Sequence, residues 1–216
     1  TGGEPLLNVE LLNKVLNLIF EVIEDAKVTL NTNGYNLEKI FELDNLSKID
    51  GIHLSRHHYK DDVNNKIFGL DVVTKERLIE INKKLKNKHL LRLNCLLMKD
   101  HIGNIGEVNK YLELASKIGV FRVGFVSLMK VNEFCNDQFV DFNDVFKESQ
   151  GTMLNTEKYY DTDICECKNG VYVAKNGEFI EYYARMTKSS KCDYCRQFVY
   201  SADNKLTTGF GRESII

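Results

Sequence analysis

The feature that most limits the fold is an alternation. Along residues 1–130, β-prone stretches that end in polar residues are separated by segments whose apolar residues recur at helical spacing. Helices are predicted over residues 9–26, after the N-cap candidate Asn8, and over 36–46, with Leu37, Ile40, Phe41 and Leu43 inward. A third is capped by Thr74 and carries Leu78, Ile81 and Leu85 on one stripe. A fourth covers 105–118 and is stopped by Gly119. Strands are predicted at 27–30, 51–55, 90–98 and 121–129. In the third of these, Leu91, Leu93, Cys95 and Leu97 alternate with Arg92 and Asn94, which gives one apolar face and one polar face. Helix and strand in strict turn argue a parallel α/β sheet with right-handed crossovers. A ligand in such a sheet sits over the carboxyl ends of the strands.

Composition agrees with a soluble globular protein: 43% hydrophobic and 28% charged residues in 216, enough for one sizeable domain and a small addition. The net charge of -2 supplies no attraction to nucleic acid or to an acidic membrane, so neither is expected as a partner. No apolar run reaches the roughly 18 residues of a membrane span. Cysteines in close pairs suit a reducing compartment, and the expected location is cytoplasmic.

The residues gathered at the strand ends are Asn31, Thr32, Asn33, Ser55, Arg56, His57, Asn94 and Met129. To these the opening Thr1-Gly2-Gly3-Glu4-Pro5 adds a corner. Gly2 and Gly3 let a ligand approach the backbone, Glu4 accepts hydrogen bonds from an ammonium group, and Pro5 sets the exit direction. The same Gly-Gly-x-Pro is also an ordinary turn. His57 and His58 serve either as substrate groups or as plain loop polarity. Cys95, among the leucines of its strand, reads as a buried structural thiol.

From residue 130 the period is lost, apart from a short helix around 143–148 and two hairpins, at 171–183 and 198–210. Cys165-Glu166-Cys167 precedes the first hairpin and Cys192-Asp193-Tyr194-Cys195 lies between the two. Four thiolates so paired suit Zn²⁺ or an iron–sulfur cluster, with unligated surface cysteines as the plainer reading. Cys135 stands apart as a lone loop cysteine.

Taken in order, Thr1-Gly2-Gly3-Glu4-Pro5, Asn31-Thr32-Asn33-Gly34, Leu54-Ser55, Arg92-Leu93-Asn94 and Phe125-Val126-Ser127-Leu128-Met129 resemble the strand-end motifs of the radical S-adenosylmethionine enzymes. Among them the molybdenum cofactor biosynthesis protein A-like members are the most similar. The resemblance implies a partial (β/α)6 TIM-like barrel over residues 1–130, lacking its first strand or strands. A cysteine-rich, metal-binding β appendage would follow over 131–216. It implies a [4Fe-4S] cluster that splits S-adenosylmethionine to start radical chemistry, with an electron donor such as flavodoxin or ferredoxin. Gly2, Gly3 and Glu4 would hold the methionine amino group, Ser55 its carboxylate or the ribose, and Met129 the adenine side. Arg56, with its fixed charge beside Ser55, and Asn94 are expected at the cofactor as well. Asn31 and Arg92 match substrate contacts; Arg92 stands where the relatives usually have Lys, and favours bidentate binding of phosphate or carboxylate.

The departures carry weight too. The Cys-x3-Cys-x2-Cys loop that defines the family does not occur in the chain. It is expected upstream, in about 60 to 90 further residues by the repeat length of such units, and the chain alone is expected to be inactive. The C-terminal cysteines, expected to hold an auxiliary [4Fe-4S] cluster or zinc, differ from the three-cysteine pattern of the molybdenum-cofactor enzymes. Ser-Arg-His-His-Tyr at 55–59 replaces their Ser-x-Asp. The substrate therefore stays open between a small molecule of cofactor biosynthesis and a peptide, with a non-catalytic metal-bound scaffold as the reading of another class.

Overall fold

The computed structural model describes residues 3–87, 90–146, 157–161, 169–173, 179–183, 199–200 and 205–207. Helix α1 (Val9–Val22) starts at Asn8, whose side-chain oxygen accepts the Leu11 N–H at 3.0 Å. Strand β1 (Thr29–Thr32) follows, and then two 3₁₀ turns, Leu37–Glu42 and Leu46–Lys48, where one α-helix was expected. The reason is legible in hindsight. Leu37, Ile40 and Leu43 recur every three residues, the period of a 3₁₀ helix, and all three are buried while Phe41 turns outward.

Strand β2 (Gly51–Ser55) leads into α2 (Asp61–Phe68), a helix the polar sequence concealed. Its marks are Asp61 and Asp62 in the first turn and Gly69 as a left-handed cap. Next come α3 (Lys75–Lys84), β3 (Leu91–Leu97), α4 (Ile105–Ile118) and β4 (Arg122–Ser127), close to expectation. Thr74 and Asn104 cap α3 and α4, and Gly119 ends α4 in the left-handed region.

Strands β1 to β4 lie side by side in chain order and all run parallel. One face of that sheet is apolar: Leu30, Ile52, Leu54, Leu91, Leu93, Cys95, Leu97, Val123 and Phe125 join Leu16 of α1, Leu78 and Ile81 of α3, and Val108, Tyr111 and Ala115 of α4 in a single core. Sequential strands with these helices on one face are the winding of a barrel segment, whereas a doubly wound sheet reverses its order. The long apolar stripe of α1 does not all enter this core. Leu16 is 3% exposed, whereas Leu11, Val15 and Leu18 are open to solvent and Val22 is 72% exposed.

After β4 come the short helices α5 (Glu133–Asp137) and α6 (Phe142–Phe146), then β5 (Glu157–Asp161), β6 (Asn169–Val173) and β7 (Phe179–Tyr183). The first expected hairpin is present as β6–β7, but it does not stand apart as an appendage. β7 pairs in parallel with β4, Arg122 opposite Phe179 and Val126 opposite Tyr183, and β6 and β5 continue the sheet antiparallel. The outer edge of β4 would otherwise present a row of unpaired backbone groups. The second hairpin is a separate ladder of β8 (Val199–Tyr200) and β9 (Leu206–Thr207).

Candidate functional site

Register decides which residues share a face. Asn31, His53 and Arg92 are cross-strand partners in one row, and Ser55, Asn94 and Gly124 in the next row toward the carboxyl ends. These rows alternate with the core rows, so they line the face opposite the helices. The alternation of Arg92 and Asn94 with the leucines of β3 thus has the predicted outcome. Arg92 is buried, and its Nε donates to Asn94 Oδ1 at 2.9 Å. A barrel interior filled for stability carries layers of branched apolar residues. Here two successive rows are mostly polar, Asn31, His53 and Arg92 and then Ser55 and Asn94 beside Gly124, before the apolar row of Leu96 and Val126 at the carboxyl ends.

The opening corner is fastened to the same end of the sheet. Glu4 caps the 3₁₀ turn Pro5–Leu7, its Oε1 accepting the Leu6 N–H at 3.2 Å. The Thr32 hydroxyl donates to Oε1 at 2.7 Å, and the Asn33 N–H donates to Oε2 at 2.8 Å. Oε2 therefore keeps acceptor capacity. Gly3 is exposed with φ +110°, and a Cβ there would meet nothing within 4 Å.

The residues after Ser55 divide by the same two-residue period. Arg56 turns to the helix side, 1% exposed, where Asp61 pairs with it and Val73 O accepts from Nη1 at 3.1 Å. The Tyr111 hydroxyl donates to its carbonyl at 2.7 Å. One step beyond Ser55, the Arg56 side chain faces the core, and its pairing with Asp61 and Val73 gives it a structural role there.

His57 lies beyond the end of β2. Arg56 N–H donates to Asn94 O, and two residues on Leu96 N–H faces the same flank, where His57 Nδ1 accepts it at 3.2 Å. The imidazole thus extends the β2–β3 ladder by one rung. Phe68 stacks on the ring, and burial pushes its pKa down to about 4, so it is neutral with its proton on Nε2. His58 is buried against Tyr59; burial first, and the nearby His101 second, lower its pKa, and its Nδ1 accepts the Lys60 N–H at 3.0 Å.

The structure thus brings Asn31 and Arg92 into one row and Ser55 and Asn94 into the next, with Glu4 at the end of β1. Met129, half exposed, lies just past β4. Gly2, Cys165, Cys167, Cys192 and Cys195 lie outside the described residues. Among the described residues no group of three His, Cys, Asp or Glu is placed to hold a metal. Cys95 is buried, its thiol pushed well up by that burial, as a structural thiol would be. Two members of the face, His53 and Gly124, were not singled out from the sequence; the strand alternation that marked Arg92 also marks His53. Gly124 left no signal.

These features define an α/β protein with two polar rows on one face of a barrel-like parallel sheet. The chain is similar to proteins named probable GTP 3',8-cyclase from Saccharolobus solfataricus, at 27% identity over 99% of this chain and 67% of the relative, and from Methanococcus aeolicus, at 26% over 95% and 66%. It is also similar to the GTP 3',8-cyclase of Sulfurimonas denitrificans, at 26% over 83% and 62%. The chain spans about two thirds of the length of these curated relatives. No family model matches it. Among the described residues no helix is long and apolar enough to cross a membrane.

Proposed function

We propose that this chain belongs to a radical S-adenosylmethionine enzyme of the GTP 3',8-cyclase kind, acting on a nucleotide. The observation that carries the reading is the arrangement of polar strand ends. Asn31, Arg92, Ser55 and Asn94 share two adjacent rows on one face of the sheet, and the Glu4 corner is tied to the end of β1, in a chain that aligns with a probable GTP 3',8-cyclase over nearly its whole length.

The groups present suit S-adenosylmethionine. Gly3 leaves open space for close backbone approach, and Glu4 Oε2 has capacity for the methionine ammonium. Ser55 offers a hydroxyl to carboxylate or ribose, with Asn94 beside it and Met129 toward the adenine. Arg92 and Asn31 would meet the substrate, the guanidinium taking a phosphate in bidentate fashion. The chemistry that cofactor and cluster supply together is a 5'-deoxyadenosyl radical. Among the described residues there is no ligand set for such a cluster. What this chain contributes is binding, orientation and a covered face; reduction by a flavodoxin- or ferredoxin-like donor belongs to the same proposal.

Equilibrium dialysis with S-adenosylmethionine tests the reading. The protein binds it, and Glu4→Ala and Ser55→Ala each weaken binding about tenfold, the equivalent of one charge-assisted hydrogen bond. No binding, or equal binding by all three proteins, overturns it.

A further inference from the structure

We propose that Gly124 is a positioning residue for Arg92: the side chain it lacks is the space in which the guanidinium lies. The inference deepens the reading of Arg92 as the contact for an anionic group of the substrate, and rests on it. Gly124 pairs with Asn94 across β3 and β4. A Cβ built on it would stand 2.5 Å from Arg92 Nη2, 2.6 Å from Asn94 Oδ1 and 3.3 Å from Arg92 Cζ. All three contacts are with the two side chains already joined by the 2.9 Å bond from Arg92 Nε to Asn94 Oδ1. Nothing in the backbone calls for glycine: Gly124 is not among the glycines with positive φ, and glycine inside a strand is otherwise a destabilising choice.

The physical consequence is specific. Asn94 holds the guanidinium at Nε, and Gly124 leaves the space beside β4 that Nη2 occupies. A guanidinium fixed in this way keeps one orientation, and orientation is what matters for a planar group that binds phosphate or carboxylate. A methyl group at 124 lifts the head off the sheet and breaks the Nε bond. The anionic subsite is then misaimed although every charged residue is still present.

The test is a pairwise cycle on the intact protein, read by urea unfolding and by GTP binding in a calorimeter. Gly124→Ala lowers the unfolding midpoint when Arg92 is present, and leaves it unchanged or raises it in an Arg92→Ala background. GTP binding falls at least tenfold in Gly124→Ala, as it does in Arg92→Ala, and the double variant is no worse than either. Arg92→Lys, whose unbranched end passes a methyl group, weakens binding in the native background but restores part of it beside Gly124→Ala. Equal tolerance of Gly124→Ala with and without Arg92, or additive losses of GTP binding, overturns the proposal. Should the unaltered protein bind no GTP, the substrate reading fails and the unfolding cycle alone decides the role of Gly124.

Discussion

The two faces of the parallel sheet are built from the same four strands to opposite ends. On the helix-packed face, consecutive rows carry mainly leucine, isoleucine, valine and phenylalanine, with Thr32 at the β1 edge and Cys95 in the middle, and Phe125 touches both Tyr111 and Phe146, ring centroids 5.7 and 5.6 Å away. On the other face, two rows carry asparagine, histidine, arginine, serine and glycine, and only the last, Leu96 with Val126, is apolar. A strand can serve both ends because its side chains alternate. Stability is therefore concentrated in one set of rows, and the other set is free to carry polar groups that a packed core would reject.

The largest effect that would sharpen this contrast is Phe125→Ala, expected to cost about 3–5 kcal/mol in urea unfolding. A loss as small as that of an open-face substitution would break it. Acidification should come next. His57 is held neutral in the folded protein with a pKa of about 4, while the unfolded chain titrates near the ordinary 6.5. The unfolded state takes up the proton first. Stability therefore falls as pH drops from about 6.5 to about 4 and this contribution then levels off, a loss of at most about 3 kcal/mol. His57→Gln should flatten that limb of the pH–stability curve. Tyr111→Phe removes the donor to the buried Arg56 carbonyl and should cost about 1–2 kcal/mol by the same unfolding assay. Smallest is Ser55→Ala on the open face, expected within about 0.5 kcal/mol of the parent in stability, although it weakens cofactor binding. A stability cost as large as that of Tyr111→Phe would mean that the open face also carries the fold.

The sequence exposed much of this division. The alternation in β3 separated Arg92 and Asn94 from the leucines, and α4 was bounded correctly, with Gly119 as its stop signal. The 3₁₀ turns were missed because Leu37, Ile40 and Leu43, three apart, fit either helix type over so short a span. α2 was missed because it has almost no apolar face; Asn64 is its one buried residue. The burial of Arg56 beside Asp61 was not legible, because the partner lies across a turn that local pattern does not close. The pairing of β7 with β4 joins residues more than fifty positions apart, and local pattern has no access to that. Gly124 illustrates the same limit at the site: a missing atom acquires meaning only once Arg92 is laid over it.

The anchoring of Glu4 has an energetic side. Its carboxylate is tied to the start of its own turn and, across 28 and 29 residues, to Thr32 and Asn33. The corner is thereby frozen when the chain folds. An incoming molecule has no loop to immobilise there, so the entropy that ordering would demand has been settled in advance, and more of each contact appears as affinity.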